Sequence, residues 1–268
     1  MRGVRRPLQI STSVRWWPST LYQTTTLEVV RDGTRLLVDP GVAPWEIAEA
    51  AGEHVGHVLL THADWDHVMG IGQLADATVH ASAGTAERIR SGEARRDVEK
   101  YAAEFYVPVL GLDRLRVDVV IDPPAEGRIG PWSARFLPAP GHTRDGMATW
   151  LPEERLLIVG DHLSGLEVPF IEHSAWAYRE NLQRLLGLIE AERPEWIAIG
   201  HGPPIESDEA RRVGEEDLAY VERIISFAEA GGDPKQVDEV AHPQRGGSND
   251  AVAHADNLDK ACLIAAAR

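Results

Sequence analysis

Apolar and polar positions alternate along this chain in short runs set apart by turn-forming residues, and the runs change period as they go. Residues 25–40, TTLEVVRDGTRLLVDP, read as two β-rich runs joined at Asp32-Gly33, a dipeptide that favours a tight hairpin turn. GHVLLT at 56–61 fits a buried strand and VHAS at 79–82 the next, with a polar, histidine-bearing segment at 62–67 between them. Residues 83–106 are charged and helix-favouring. Strand-like runs then return at 114–121, 133–138, 147–151 and 155–160. From Ser174, a candidate N-cap, Leu182, Leu185, Leu186 and Ile189 keep the spacing of one buried helix face up to Pro194. A short strand, 196–199, and a long charged helix, 208–230, complete a domain expected to span 1–230. Residues 231–268 open with Gly-Gly-Asp-Pro and contain QRGGSND, the pattern of a loosely attached loop and final helix appended to that domain. Strands and helices followed by strands and helices suggest two halves, although no sequence repeat accompanies them.

Composition narrows the partners rather than the fold. The 268 residues are 43% hydrophobic and 26% charged, enough to bury a sizeable core. A formal charge of −15 disfavours nucleic acid, whose phosphate backbone requires clustered Lys and Arg, and points to a small-molecule substrate. The arginine-rich opening lacks an apolar signal-peptide core, and no stretch approaches the roughly 18 apolar residues of a membrane span. The expectation is a cytoplasmic protein without a membrane partner, with a homodimer admitted. The single cysteine, Cys262, agrees with a reducing compartment and reads as a buried small hydrophobe in the last helix.

The chemistry concentrates in Thr61-His62-Ala63-Asp64-Trp65-Asp66-His67, four metal-ligating side chains directly after an apolar strand. In an extended segment residues i and i+2 point the same way, so His62 and Asp64 can bind one ion, while Asp66 and His67, after the chain turns, face a second. Imidazoles and carboxylates suit zinc, iron or manganese. Three later strands end in Pro140-Gly141-His142, Gly160-Asp161 and Gly200-His201, each placing a ligand type beside a glycine that permits a tight turn. Asp39 ends an earlier strand in the same way. His162 is ambiguous, either a support for a ligand or simply buried, and His54, His57, His80, His173, His242 and His254 have no partner pattern.

In this order, over roughly residues 25–205, the motifs resemble those of the metallo-β-lactamase superfamily, with settings around His142 and Asp161 similar to its glyoxalase II-like and lactonase-like branches. The resemblance implies an α/β fold (α+β in some schemes), a four-layer αββα sandwich with a dinuclear site on one edge. It assigns His62, Asp64 and His142 to a first metal, Asp66, His67 and His201 to a second, and Asp161 to a bridge between them. Asp39 would orient a ligand from behind. The implied activity is that of a metal-dependent hydrolase in which a metal-bridging hydroxide, oriented by the catalytic Asp66, attacks a small ester, thioester or lactone. Trp16, Trp17, Trp65 and Phe170 are expected to line an acyl pocket.

One position departs from the family pattern. His-x-His-x-Asp-His is usual, and Asp64 stands where the second histidine belongs. Four neutral histidines, three carboxylates and two divalent ions sum to about +1, and a bridging hydroxide lowers this to about 0, one unit below the usual site. A harder ligand field follows, with zinc the first expectation and iron or manganese admitted. Two alternatives stay open. Flavodiiron proteins, which handle oxygen or nitric oxide, resemble this chain in carrying a carboxylate at that position; a non-catalytic metal-binding module is the other.

Overall fold

The computed structural model describes residues 7–41, 45–47, 54–247 and 249–268. The arginine-rich opening, at residues 1–6, lies outside them. Asp32 and Gly33 both adopt positive φ, 50° and 75°, as a two-residue hairpin turn demands, and so join strands β3 (Thr25–Arg31) and β4 (Thr34–Val38) in antiparallel register. Around that hairpin grows a seven-stranded sheet in sequence order, with β1 (Leu8–Gln9) and β2 (Val14–Pro18) antiparallel on one side. On the other side β5 (His57–Leu59), β6 (Thr78–Ser82) and β7 (Val119–Ile121) run parallel to β4. Parallel neighbours require crossovers. Short α1 (Trp65–Val68) lies in the crossover from β5 to β6, and α2 (Ala83–Arg90) with α3 (Glu93–Glu104) in that from β6 to β7.

The second sheet has five strands in the order β12, β11, β10, β9, β8. They are β8 (Ala125–Ile129), β9 (Trp132–Pro138), β10 (Met147–Leu151), β11 (Leu156–Ile158) and β12 (Trp196–Ala198). Helix α4 (Ala175–Glu192) crosses from β11 to its parallel neighbour β12, capped by the Ser174 hydroxyl, which accepts from the Ala177 amide. Helices α5 (Ser207–Glu229) and α6 (Asp250–Ala266) follow.

Three apolar cores define the layering. Val14, Leu27, Leu36 and Leu59 of the first sheet meet Trp132, Phe136, Met147 and Leu156 of the second. Leu37, Val58 and Val79, on the opposite face of the first sheet, pack under Val68, Val98 and Ala102 of its helices. Trp150, Leu157 and Ile197 pack under Tyr178, Leu182, Val213 and Tyr220 of α4 and α5. Three buried seams between four layers make an αββα sandwich, the expected architecture.

Two local readings differ. The run 114–121 yields strand only at 119–121, because Arg116 donates to the carbonyls of Ala75 and Ala77 and Asp118 accepts from the Val79 amide, so side chains occupy ladder positions. The final helix is not loosely held. Ala253, Leu258 and Ala261 join the core under α4 and α5, and the buried Asn257 side chain bonds the Ile171 amide (2.9 Å) and the Pro169 carbonyl (2.6 Å). The glycine-rich sequence that suggests looseness belongs to the loop, not to the helix it delivers. Cys262 is half-buried, its thiol directed at the Gly232 carbonyl. No helix among the described residues is long and apolar enough to cross a membrane.

Candidate metal centre

Each expected ligand sits just beyond a strand end, on the edge where the two sheets meet. His62 follows β5, and Asp64 precedes α1 in extended conformation, with Asp66 and His67 in that helix's single turn. His142 follows β9 through Gly141, whose φ of 139° and 2.4 Å clearance from the Tyr178 backbone exclude any side chain. Asp161 follows β11, and His201 follows β12 through Gly200, where a methyl group would stand 1.8 Å from Asp161 Oδ1.

The seven side chains converge. Asp161 lies within reach of all four rings: its Oδ1 is 3.2 Å from His67 Nε2, and its Oδ2 is 3.1 Å from His201, 3.2 Å from His142 and 3.7 Å from His62 Nε2. Asp64 Oδ2 is 3.5 Å from His62 Nε2 and 3.2 Å from His142 Nε2; Asp66 Oδ2 is 3.6 Å from His67 and 3.8 Å from His201. Ligands about 2.1 Å from one tetrahedral ion stand about 3.4 Å from each other, so these separations match the edges of coordination polyhedra. Three potential clusters result: His62, Asp64 and His142; Asp66, His67 and His201; and His62, His67 and Asp161.

The hydrogen-bond pattern tests whether ions fit. His67 Nδ1 faces Asp39 Oδ2 (3.0 Å), His142 Nδ1 the Phe170 carbonyl (2.7 Å) and His201 Nδ1 the Tyr22 carbonyl (2.9 Å), acceptors that oblige each Nδ1 to carry the proton. His62 Nδ1 donates to Thr61 Oγ1 (2.9 Å), whose own proton goes to Asp39 Oδ2. Every Nε2 lone pair is thereby free for an inward role. His62 Nε2, His67 Nε2 and Asp161 Oδ1 are buried with no hydrogen-bond partner, a costly arrangement for a site of protein atoms alone and the expected one where ions complete it.

The electrostatics agree. Burial opposes protonation of His67, yet Asp161, Asp66 and Asp39 outweigh it and hold its pKa well above the usual range. His201 is pushed up to about 9 against its burial by Asp161 and Asp66, and Asp161 is held far below the carboxylate range, despite burial, by the four imidazoles. The carboxylates thus favour positive charge on these imidazoles, and a divalent ion would compete with protons for the same positions.

Residues behind the ligands complete the site, and of these only Asp39 was expected from the sequence. Asp39, with a positive φ of 47°, accepts from the Thr61 amide (2.8 Å) and hydroxyl (2.7 Å) besides His67. Thr24 donates to Asp66 Oδ2 (2.8 Å). Arg88 of α2, buried, donates to Asp64 Oδ1 and to Asp145 Oδ1, both at 2.8 Å. Nothing in the helical pattern of 83–106 sets Arg88 apart; the signal available was Asp64 itself, an extra buried carboxylate in need of a cation. His162 points away: its Nδ1 donates to the Val159 carbonyl (3.1 Å), and burial lowers its pKa to about 3.

Above the cluster opens a cavity of about 450 Å³, walled by Tyr22, Trp65, Tyr101 and Phe170 and closed on one side by Val252 and Ala253 of α6. Trp65 and Phe170 thus stand where an acyl pocket was expected. Trp17 and Trp16 do not. Both faces of the first sheet are covered, so neighbouring residues of β2 bury in opposite cores, and Trp17 also donates its indole N–H to Glu28 (3.3 Å).

A four-layer αββα sandwich with a His/Asp cluster able to hold metal at the edge of its sheets defines a class of metalloprotein. Residues 19–201 match the Metallo-beta-lactamase superfamily, and the chain belongs to that family. It is 33% identical over 162 residues to a hydroxyacylglutathione hydrolase of Methylococcus capsulatus, covering 58% of this chain and 54% of that one. It is 26% identical to a Beta-lactamase-like protein 2 homolog of Caenorhabditis elegans, covering 70% and 59%. The chain thus spans little more than half the length of these relatives. Among solved structures, the inverting sec-alkylsulfatase of Pseudomonas sp. superposes with a TM-score of 0.72 at 15% identity, over 96% of this chain and half of that one. A metallo-beta-lactamase family protein of Thermus thermophilus superposes at 0.61, with 20% identity and 94% and 95% covered.

Proposed function

We propose that the protein is a metal-dependent hydrolase of small-molecule esters, thioesters or lactones, with His62, Asp64 and His142 holding one divalent ion, Asp66, His67 and His201 a second, and Asp161 touching both. The observation that carries this reading is the set of four Nδ1-anchored histidines whose Nε2 atoms converge on one carboxylate, two of them partnerless and buried. Similarity to hydroxyacylglutathione hydrolases supports a thioester or related acyl substrate. Zinc suits the four imidazoles, and the three carboxylates admit iron or manganese.

Bound divalent ions supply Lewis acidity and an acidified water at neutral pH. The chain's own residues do the rest. Asp66, fixed through Oδ2 by Thr24, would be the carboxylate that holds a proton during hydrolysis and passes it on to the leaving group. Trp65, stacked on Tyr101 and Phe105, forms a rigid apolar wall for the acyl chain, and Phe170 faces it beside His142.

Charge narrows the substrate further. Beyond the proposed ligands the lining carries Asp97, Glu167, Glu172, Asp250 and Asp256, and its one basic residue among those described, Arg88, is already paired with Asp64 and Asp145. Arg88 therefore offers an anionic carrier such as glutathione no free charge, and the surplus of carboxylates favours an uncharged or cationic substrate. The test is a screen of the metal-loaded protein against matched neutral, cationic and anionic thioesters, lactones and phosphodiesters. Turnover of neutral or cationic acyl compounds, lost in His67→Ala, is expected. Absence of all hydrolysis alongside oxygen consumption by an iron-loaded, reduced protein would overturn the hydrolytic reading.

A further inference from the structure

Asp64 is the one proposed ligand that departs from the family pattern, and the structure surrounds it with machinery no motif announces. Its Oδ2 faces His62 and His142, while its Oδ1 accepts from Arg88 Nη1 at 2.8 Å. The same Nη1 is anchored at 2.8 Å by Asp145, whose side chain is fully buried. Asp145 uses its other oxygen to accept from the Ala63 amide and the Thr85 hydroxyl, both at 2.9 Å, and its carbonyl accepts from Ser82 Oγ at 2.8 Å. The approach is close enough to need glycine at 84, where a methyl group would stand 2.8 Å from Asp145 Cβ. One carboxylate thus ties together the segment before Asp64, the start of α2 and the loop that carries His142.

Arg88 is no anchor for a substrate anion. Its Nε donates to Glu93 at 2.9 Å, its Nη2 lies 3.7 Å from Asp97, and its side chain is only 7% exposed. Its donors are spent on carboxylates of the chain itself.

We propose that Arg88, held by Asp145, is a positioning residue that makes Asp64 a one-oxygen equivalent of the missing imidazole. By occupying Oδ1 it prevents bidentate binding and leaves Oδ2 alone to face the first ion. Its positive charge also stands beside the negative charge that aspartate introduces. The inference rests on the proposed metal site, since it concerns how one of those ligands is presented.

A double-mutant cycle on the full chain tests it. Metal-free wild type, Arg88→Gln, Asp64→His and the double variant are titrated with Co²⁺, reading stoichiometry, affinity and the visible ligand-field spectrum. Arg88→Gln should weaken one of the two ions by about 10- to 100-fold and change the spectrum of that site alone. In the Asp64→His background the same substitution should change affinity by less than about threefold, because histidine needs no such partner. An equal loss in both backgrounds would show a merely structural arginine and overturn the proposal, as would an unchanged affinity in Arg88→Gln. If Arg88→Gln does not fold, Asp145→Asn and Arg88→Lys carry the same cycle, with smaller losses in the same direction expected and the same outcomes decisive. Wild type that binds no Co²⁺ would overturn the metal site itself; two ions bound by wild type and Arg88→Gln alike would overturn only the role of Arg88.

Discussion

Replacing Asp39 with asparagine changes one atom and should reach the metal centre through a proton. Asp39 accepts three hydrogen bonds, from the Thr61 amide, the Thr61 hydroxyl and His67 Nδ1. An asparagine oxygen can still serve the amide, but its NH₂ must then face Thr61 Oγ1 and His67 Nδ1. His67 answers by moving its proton to Nε2, the atom 3.2 Å from Asp161 that should donate its lone pair to an ion. Loss of such a partner typically costs 10- to 100-fold in metal affinity, or about 1.4 to 2.7 kcal/mol. Asp39→Ala differs in kind, stranding three buried donors, so about 3 kcal/mol or more of ion-free stability should go with it. Chelator-competition titration with zinc, together with thermal unfolding of the ion-free proteins, separates the two effects. Wild-type zinc affinity in Asp39→Asn would refute the assignment of His67 Nδ1 as the obligate donor.

Other perturbations probe the frame of the site. Gly200→Ala sets a methyl group 1.8 Å from Asp161 Oδ1, so Asp161 must swing out and the chain should bind fewer than two ions by elemental analysis while keeping its circular dichroism spectrum. Asn257→Ala removes the bonds to Ile171 and Pro169 that hold the segment carrying Phe170, whose carbonyl orients His142; a loss of about 2 to 3 kcal/mol in denaturant unfolding is expected. His80, next to His57 (3.1 Å), is lowered from 6.5 to about 4, first by burial and then by His57. Its folded pKa is the lower one, so the unfolded chain binds the extra proton and stability falls as pH drops from about 6.5 towards 4. The upper bound is about 3 kcal/mol. Urea unfolding across that range should show the slope, and His80→Gln should flatten it.

Much of the centre was legible because its ligands obey local rules. His62, His142, Asp161 and His201 each follow an apolar run and adjoin a turn, and strand ends with glycines are readable from periodicity alone. Most strands and the buried face of α4 followed from the same runs, whereas their stacking in four layers came from the family resemblance. What escaped depends on contacts distant in sequence. Arg88 lies on a helix whose charged surface hides one buried arginine, and only the approach of Asp145, 57 residues on, gives it a task. Trp17 looked like a pocket residue because indoles often are, but strand β2 lies in a sheet covered on both faces, where alternation no longer tells pocket from core. The glycine-rich opening of residues 231–268 suggests loose attachment, while Asn257, a polar residue in the helix that follows, is what fastens α6 to the wall of the cavity.

The central claim is that the convergent histidines and carboxylates form a two-ion hydrolytic site, and counting bound metal against turnover on one sample tests it most directly. The protein stripped by chelator should regain about two equivalents of a divalent ion per chain and recover acyl hydrolysis in step with the ions bound, whereas Asp161→Ala should recover neither in full. Turnover that is independent of metal content, or a wild-type chain that binds no ion and gains no thermal stability from added zinc, manganese or iron, would contradict the account.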